Sequence, residues 1–170
     1  MKKILLIATV LVLFLFSCSK DNQYARRITG EWTVDKAEKY NFNTSTGQWV
    51  LDANASINNP GTIILTNDNK NKEKTSSFPY TNPATVEFNH NFIYNFYSGD
   101  FYWSVDLGND NDLKMITFMF EDPNTSLYIY TSFSIVENSK KSLTWYYFAD
   151  TNEGMDNGTQ YKWVLSLSKL

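Results

Sequence analysis

Ile28-Thr29-Gly30-Glu31-Trp32 is the stretch on which the fold turns. Just before it, residues 24–29 are suited to a short helical turn. Just after it, Trp32 and Val34 alternate with Thr33 and Asp35, the two-residue period of a strand with one buried face. From there onward no window places apolar residues at helical spacing over three turns, and the period of two keeps returning. Residues 48–52 follow an Asn-Thr-Ser-Thr-Gly turn, and residues 62–66 follow Asn-Asn-Pro-Gly. Val86 and Phe88 share one face of residues 85–89, with Glu87 on the other. Residues 92–97 turn at Ser98-Gly99-Asp100 into residues 101–106, where Phe101, Trp103 and Val105 face one way. Residues 113–120, 127–136 and 143–148 come next, and residues 161–167 close the series with Tyr161, Trp163, Leu165 and Leu167 on one side.

That rhythm predicts nine or ten antiparallel strands in one all-β domain, with residues 67–77 as the longest loop. Many short strands at hairpin spacing fit either a closed barrel or a β-sandwich. Gly30-Glu31-Trp32, placed at the first strand after a short helical turn, resembles the Gly-x-Trp opening of the lipocalin and calycin barrels. The ending Trp163-Val164-Leu165-Ser166-Leu167-Ser168-Lys169 is similar to the last strand of small lipocalin-like lipoproteins of Bacteroidetes. The resemblance implies an antiparallel up-and-down β-barrel over residues 28–170, with Trp32 plugging one end, and it favours the barrel over the sandwich. It also implies a basic residue over that tryptophan, for which Lys162 and Lys169 are the candidates.

The chain opens with Met1-Lys2-Lys3 and an uncharged apolar run of 13 residues, Ile4 to Phe16. That is too short to cross a bilayer, which takes about 20 residues, and it has the form of a secretory signal peptide. Leu15-Phe16-Ser17-Cys18 resembles the lipobox of bacterial lipoproteins, in which the cysteine is acylated and becomes the new N-terminus. Residues 1–17 are then the signal, and 18–27 the lipidated Cys18 with its polar tether. Cys18 is the only cysteine, so no intrachain disulfide supports the fold. Residues 18–170 are long enough to hold a core without one. Each buried methylene contributes about 0.8 kcal/mol, so two or three acyl chains anchor permanently. The expected place is the outer membrane, in either the periplasmic or the surface-facing leaflet; one Lys and one Asp after Cys18 give only a weak export signal.

Loss of Lys2 and Lys3 with the signal lowers the net charge from −3 to −5. An acidic domain of this kind has no footprint for nucleic acid and no basic surface for anionic lipid. Catalysis needs a nucleophile or metal beside a tuned base, and little here supplies one. His90 is the single histidine. With Glu87 it could form a base–nucleophile pair, but a turn histidine leaving a strand is the plainer reading. There is no phosphate loop, no zinc motif and no esterase elbow. The acidic loops 106–112 and 150–156 lack EF-hand spacing, and their Asn, Asp and Gly are what tight turns require. No cofactor or metal is expected.

Aromatic residues make up 16% of the chain. In a barrel, Trp32, Phe101, Trp103, Phe118, Trp163 and Leu165 point inward and either fill the interior or line a cavity for a small apolar ligand. Their bulk favours filling. Tyr94, Tyr102, Tyr128, Tyr130 and Tyr146 point outward, and a tyrosine-rich face suits a protein partner because tyrosine gives contact area at low entropy cost. The expected function is therefore that of a non-enzymatic envelope lipoprotein binding a small apolar ligand or an envelope protein. The alternative is a structural accessory or immunity-type lipoprotein of a larger complex.

Overall fold

The computed structural model describes residues 20–67, 82–93, 95–106, 114–121, 125, 127–148 and 160–170. One helix, α1 (Lys20–Ile28), leads into eight strands: β1 (Gly30–Asn43), β2 (Gln48–Leu65), β3 (Asn82–Phe88), β4 (Gly99–Asp106), β5 (Met115–Glu121), β6 (Tyr128–Asn138), β7 (Ser142–Phe148) and β8 (Tyr161–Lys169). Each strand pairs antiparallel with the next, and β8 pairs back onto β1, so the sheet closes into an up-and-down barrel. Closure excludes the sandwich and leaves no free sheet edge. Cys18 and the signal segment lie outside the described residues.

Antiparallel order divides the connections between two ends. α1, the β2–β3 and β4–β5 connections, the β6–β7 turn and the end of β8 share one, the helix end. The β1–β2 hairpin and the segment from β3 to β4 belong to the other, the rim, with the connections β5–β6 and β7–β8. Tyr24, Ala25 and Ile28 of α1 are buried, with Ile28 wholly inaccessible, so the helix stops the lower mouth with its apolar side.

Eight strands replace the nine or ten expected, for two reasons. Residues 48–52 and 62–65 belong to one strand, β2. Residues 53–56 lie at the register shift between Ala37 and Lys39, and the Asn-Asn-Pro-Gly sequence makes the shift between Val34 and Lys36, an irregularity in the ladder rather than a hairpin. Asn59 there has φ +48° and Gly61 φ +153°, backbone that Asn and Gly tolerate. A Cβ on Gly61 would collide with the Glu87 carbonyl oxygen of β3, so the close approach of β2 to β3 requires glycine.

The second reason concerns residues 92–97, where no strand forms among the described residues. Ile93 and Phe96 make an isolated bridge across a tight turn, closed by the Phe96 N–H donating to the Ile93 carbonyl at 3.2 Å. Asn95 takes φ +56°. Chain reversal lets both Ile93 and Phe96 point into the barrel, where Phe96 is fully buried. The apolar spacing that reads as a strand is that of a plug.

Candidate functional site

The residues singled out from the sequence as inward are all buried: Trp32, Trp103, Phe118 and Leu165 completely, Phe101 and Trp163 nearly so. They meet as a stack of rings. Phe96 sits at its centre, with ring centroids 4.8 Å from Phe118, 4.9 Å from Phe133 and 5.5 Å from Phe101. Trp145 continues the stack at 5.7 Å from Phe133 and 5.9 Å from Phe118. Near the rim, Phe92 from the β3–β4 segment lies 5.1 Å from Trp163. Tilted and edge-on rings at these separations are the favourable arrangement of a packed aromatic core. The middle of the barrel is occupied by its own side chains.

Three of the fully buried interior side chains are tryptophans, and their N–H groups are treated differently. Trp32 Nε1 donates to the Ile28 carbonyl of α1 at 2.7 Å, which ties the helix to the barrel. Trp103 Nε1 donates to the carbonyls of Thr66 and Pro83 at 3.0 and 3.1 Å, where β2 gives way to β3. Trp145 Nε1 and the Tyr24 hydroxyl are buried and have no hydrogen-bond partner among the described residues. Burial pushes the Tyr24 pKa up to about 12, with Arg27 opposing the shift.

At the helix end, Lys169 covers Trp32. Its Nζ lies 5.3 Å from the indole centre and donates to the Thr29 carbonyl at 2.8 Å. Of the two candidates for this position, Lys169 fills it and Lys162 does not. The glycine of Gly30-Glu31-Trp32 also has its reason here. Gly30 has φ +134°, and a Cβ on it would stand 2.9 Å from Lys169 Cε.

Lys162 is at the rim, on the outer side of β8. Its cross-strand neighbours are Tyr40 on β1 and Phe148 on β7. The ammonium lies 4.7 Å from the ring centre of Tyr146, 4.9 Å from Trp49, 5.5 Å from Tyr40 and 5.9 Å from Phe148. The rings also touch one another, with Phe42–Trp49 at 5.1 Å, Trp49–Phe148 at 6.1 Å and Tyr146–Phe148 at 6.2 Å. Burial among them lowers the Lys162 pKa. Four rings within about 6 Å of one cation form a cation–π cluster. The Tyr40 hydroxyl of the cluster donates to Glu38 at 3.4 Å, and Glu38 also pairs with Lys36 at 2.6 Å.

On another part of the outer wall, Tyr102, Met119 and Tyr130 stand side by side across β4, β5 and β6. Both tyrosines are about half exposed, and Met119 between them is buried. Tyr128 is exposed beside them, opposite Glu121. The tyrosines expected to point outward do so at 102, 128, 130 and 146; Tyr94 lies outside the described residues.

Glu87 and His90 form no catalytic pair. Both are exposed, and no hydrogen bond joins them among the described residues. Glu87 lines an open cleft of about 410 Å³ with Gly61, Thr62, Phe88, Asn89 and Ser98, and His90 is not part of its wall. Among the described residues no three His, Cys, Asp or Glu side chains gather to hold a metal. Apart from Asp106, the acidic loops 106–112 and 150–156 lie outside the described residues.

Sequence reasoning missed Phe96, Phe133 and Trp145 as interior residues, and the rim cluster as a unit. Alternation marks Phe133 and Trp145 as same-face residues of their strands. Nothing local marks Phe96, because its place depends on a chain reversal. Comparison with protein families, curated proteins and solved structures finds no match for this chain.

Proposed function

We propose that the chain is a lipid-anchored, lipocalin-like lipoprotein of a Bacteroidetes outer membrane that binds an envelope protein through its outer wall and performs no catalysis. The observation that carries the binding mode is the ring stack around Phe96, which occupies the space where a carrier would hold its cargo. With the interior taken, recognition falls to the outside, and the Tyr102–Met119–Tyr130 row offers contact area of the kind found at interfaces. The anchor is supported by Leu15-Phe16-Ser17-Cys18 after an uncharged run too short to span a bilayer.

Two measurements test this reading together. Fatty-acid labelling should mark the wild type and not Cys18→Ala, and an unlabelled wild type contradicts the anchor. Crosslinking in intact cells should capture one envelope protein, with capture reduced by Tyr102→Ala and Tyr130→Ala and kept by Glu87→Ala. Capture indifferent to both tyrosines contradicts the outer-wall reading.

A second reading, a small ligand inside the barrel, is favoured by one observation. Trp145 Nε1 is a buried donor with no acceptor among the described residues, and an unsatisfied buried donor costs about 1–3 kcal/mol. Native mass spectrometry separates the two. An empty chain supports partner binding, and a stoichiometric small molecule retained by wild type but not by Trp145→Phe supports the interior site.

A further inference from the structure

The rim cluster combines two features that the rest of the wall does not. Lys162 carries three N–H donors, and among the described residues it has neither a hydrogen bond nor an ion pair. Its ammonium lies over four aromatic rings, whose faces attract the charge, and it donates to neither the Tyr40 nor the Tyr146 hydroxyl. Lys169 is the internal control, since that ammonium has both a ring and the Thr29 carbonyl.

Glu38 does not fill the gap: it pairs with Lys36 and accepts from the Tyr40 hydroxyl at 3.4 Å. The rings remain accessible, with Phe148 exposed and Tyr40, Trp49 and Tyr146 half-buried. A ligand that matches this surface brings an oxyanion for the ammonium and a flat apolar body for the rings.

We propose that Tyr40, Trp49, Tyr146, Phe148 and Lys162 form a binding site for a small aromatic carboxylate, its carboxylate on Lys162 and its ring against Trp49, Tyr146 and Phe148. A carboxylate accepts a charge-assisted hydrogen bond from an ammonium. The ligand ring gains offset or edge contacts with the cluster. Neither half suffices alone: inorganic phosphate has the charge without the apolar body, and a neutral arene has the body without the charge. The site stands on the rim geometry and does not depend on the lipid anchor or on the outer-wall partner.

Isothermal titration of the full chain with 2-naphthoate tests it, with 2-naphthamide and inorganic phosphate as comparison probes. One-to-one binding is expected in the range of about 0.1–3 mM. The amide should bind at least about tenfold more weakly, and phosphate should give no saturable signal. Lys162→Met and Trp49→Ala should each weaken naphthoate by about tenfold or more, whereas Lys162→Arg and Lys169→Met should keep it. Lys162→Arg guards against misreading a folding defect, because it changes the same position and preserves the charge. The site is overturned by any of three results: no saturable naphthoate binding to wild type, equal binding of the amide, or naphthoate affinity unchanged in Lys162→Met.

Discussion

At one end of the barrel Lys169 lies across a single tryptophan and spends a hydrogen on the Thr29 carbonyl. At the other, Lys162 lies among four rings and spends none on the described residues. Both are lysines over aromatic rings on the same strand, separated along β8 by most of its length. The first is part of a closed network: Trp32 Nε1 reaches the Ile28 carbonyl, Lys169 reaches Thr29 of the same segment, and Gly30 leaves room for the lysine stem. Every polar group named there has a partner, so that end fixes the helix and seals the barrel. The rim cluster has its rings in place and its donors unspent. A satisfied network specifies structure, and an unsatisfied one at an accessible place is suited to binding.

If that division is right, substitutions that break the Trp32–Lys169 network should cost stability and those at the rim should not. The largest effect is expected for Trp32→Ala, which empties a fully buried site and breaks the tie to α1; about 3–5 kcal/mol should be lost in denaturant unfolding. Trp32→Phe keeps much of the ring and should lose far less, and equal losses from the two would argue against a role for the indole N–H. Lys169→Met comes next. It removes a charge-assisted hydrogen bond and a cation–π contact at an exposed place, so about 1 kcal/mol is expected, read from the same unfolding curves.

Tyr24→Phe should act in the opposite direction. The Tyr24 hydroxyl is buried with no partner among the described residues, and removing it should raise stability by about 1 kcal/mol. Its pKa, raised to about 12 by burial, adds a pH signature. A phenol whose folded pKa is raised stabilises the fold fully below the unfolded value and loses that contribution as pH climbs through the folded one. Wild type should therefore weaken from about pH 10 toward pH 12 more steeply than Tyr24→Phe, and a late-titrating phenol should vanish from the ultraviolet titration of the variant. Coincident pH profiles would contradict burial of this hydroxyl.

The smallest effect is expected for Lys162→Met, within about 0.5 kcal/mol of wild type at neutral pH. Because burial lowers this lysine's pKa, its charged form is disfavoured by folding. Stability should rise as pH climbs through the folded pKa toward the unfolded one. Lys162→Met should flatten that rise, and a large loss of stability at neutral pH would show the rim lysine to be structural after all.

Much of the barrel was legible in period-two alternation, because inward side chains of a closed sheet must be apolar and outward ones need not be. Once the resemblance carried by Gly30-Glu31-Trp32 favours a barrel, Trp32, Trp103, Phe118 and Trp163 can be placed inside. The Asn59-Pro60-Gly61 sequence was misleading because the backbone values that make a turn also make a bulge. Phe96 is misleading because an apolar run that reads as a strand also fits a tight reversal, which brings Ile93 and Phe96 to the same side. Lys162 was named only as a candidate cover for Trp32. Its real surroundings come from four strands, and register across strands 120 residues apart along the chain is not written in any local window. The lipobox segment stands apart: its reading is entirely in the sequence, and it lies outside the described residues.

The most direct test of the division between the two ends is thermal unfolding of wild type, Lys169→Met and Lys162→Met, each with and without saturating 2-naphthoate. A structural helix end and a binding rim predict that Lys169→Met melts lower than wild type yet keeps the naphthoate-induced rise, while Lys162→Met melts like wild type and loses that rise. The reverse pattern, or loss of both properties in both variants, would contradict it.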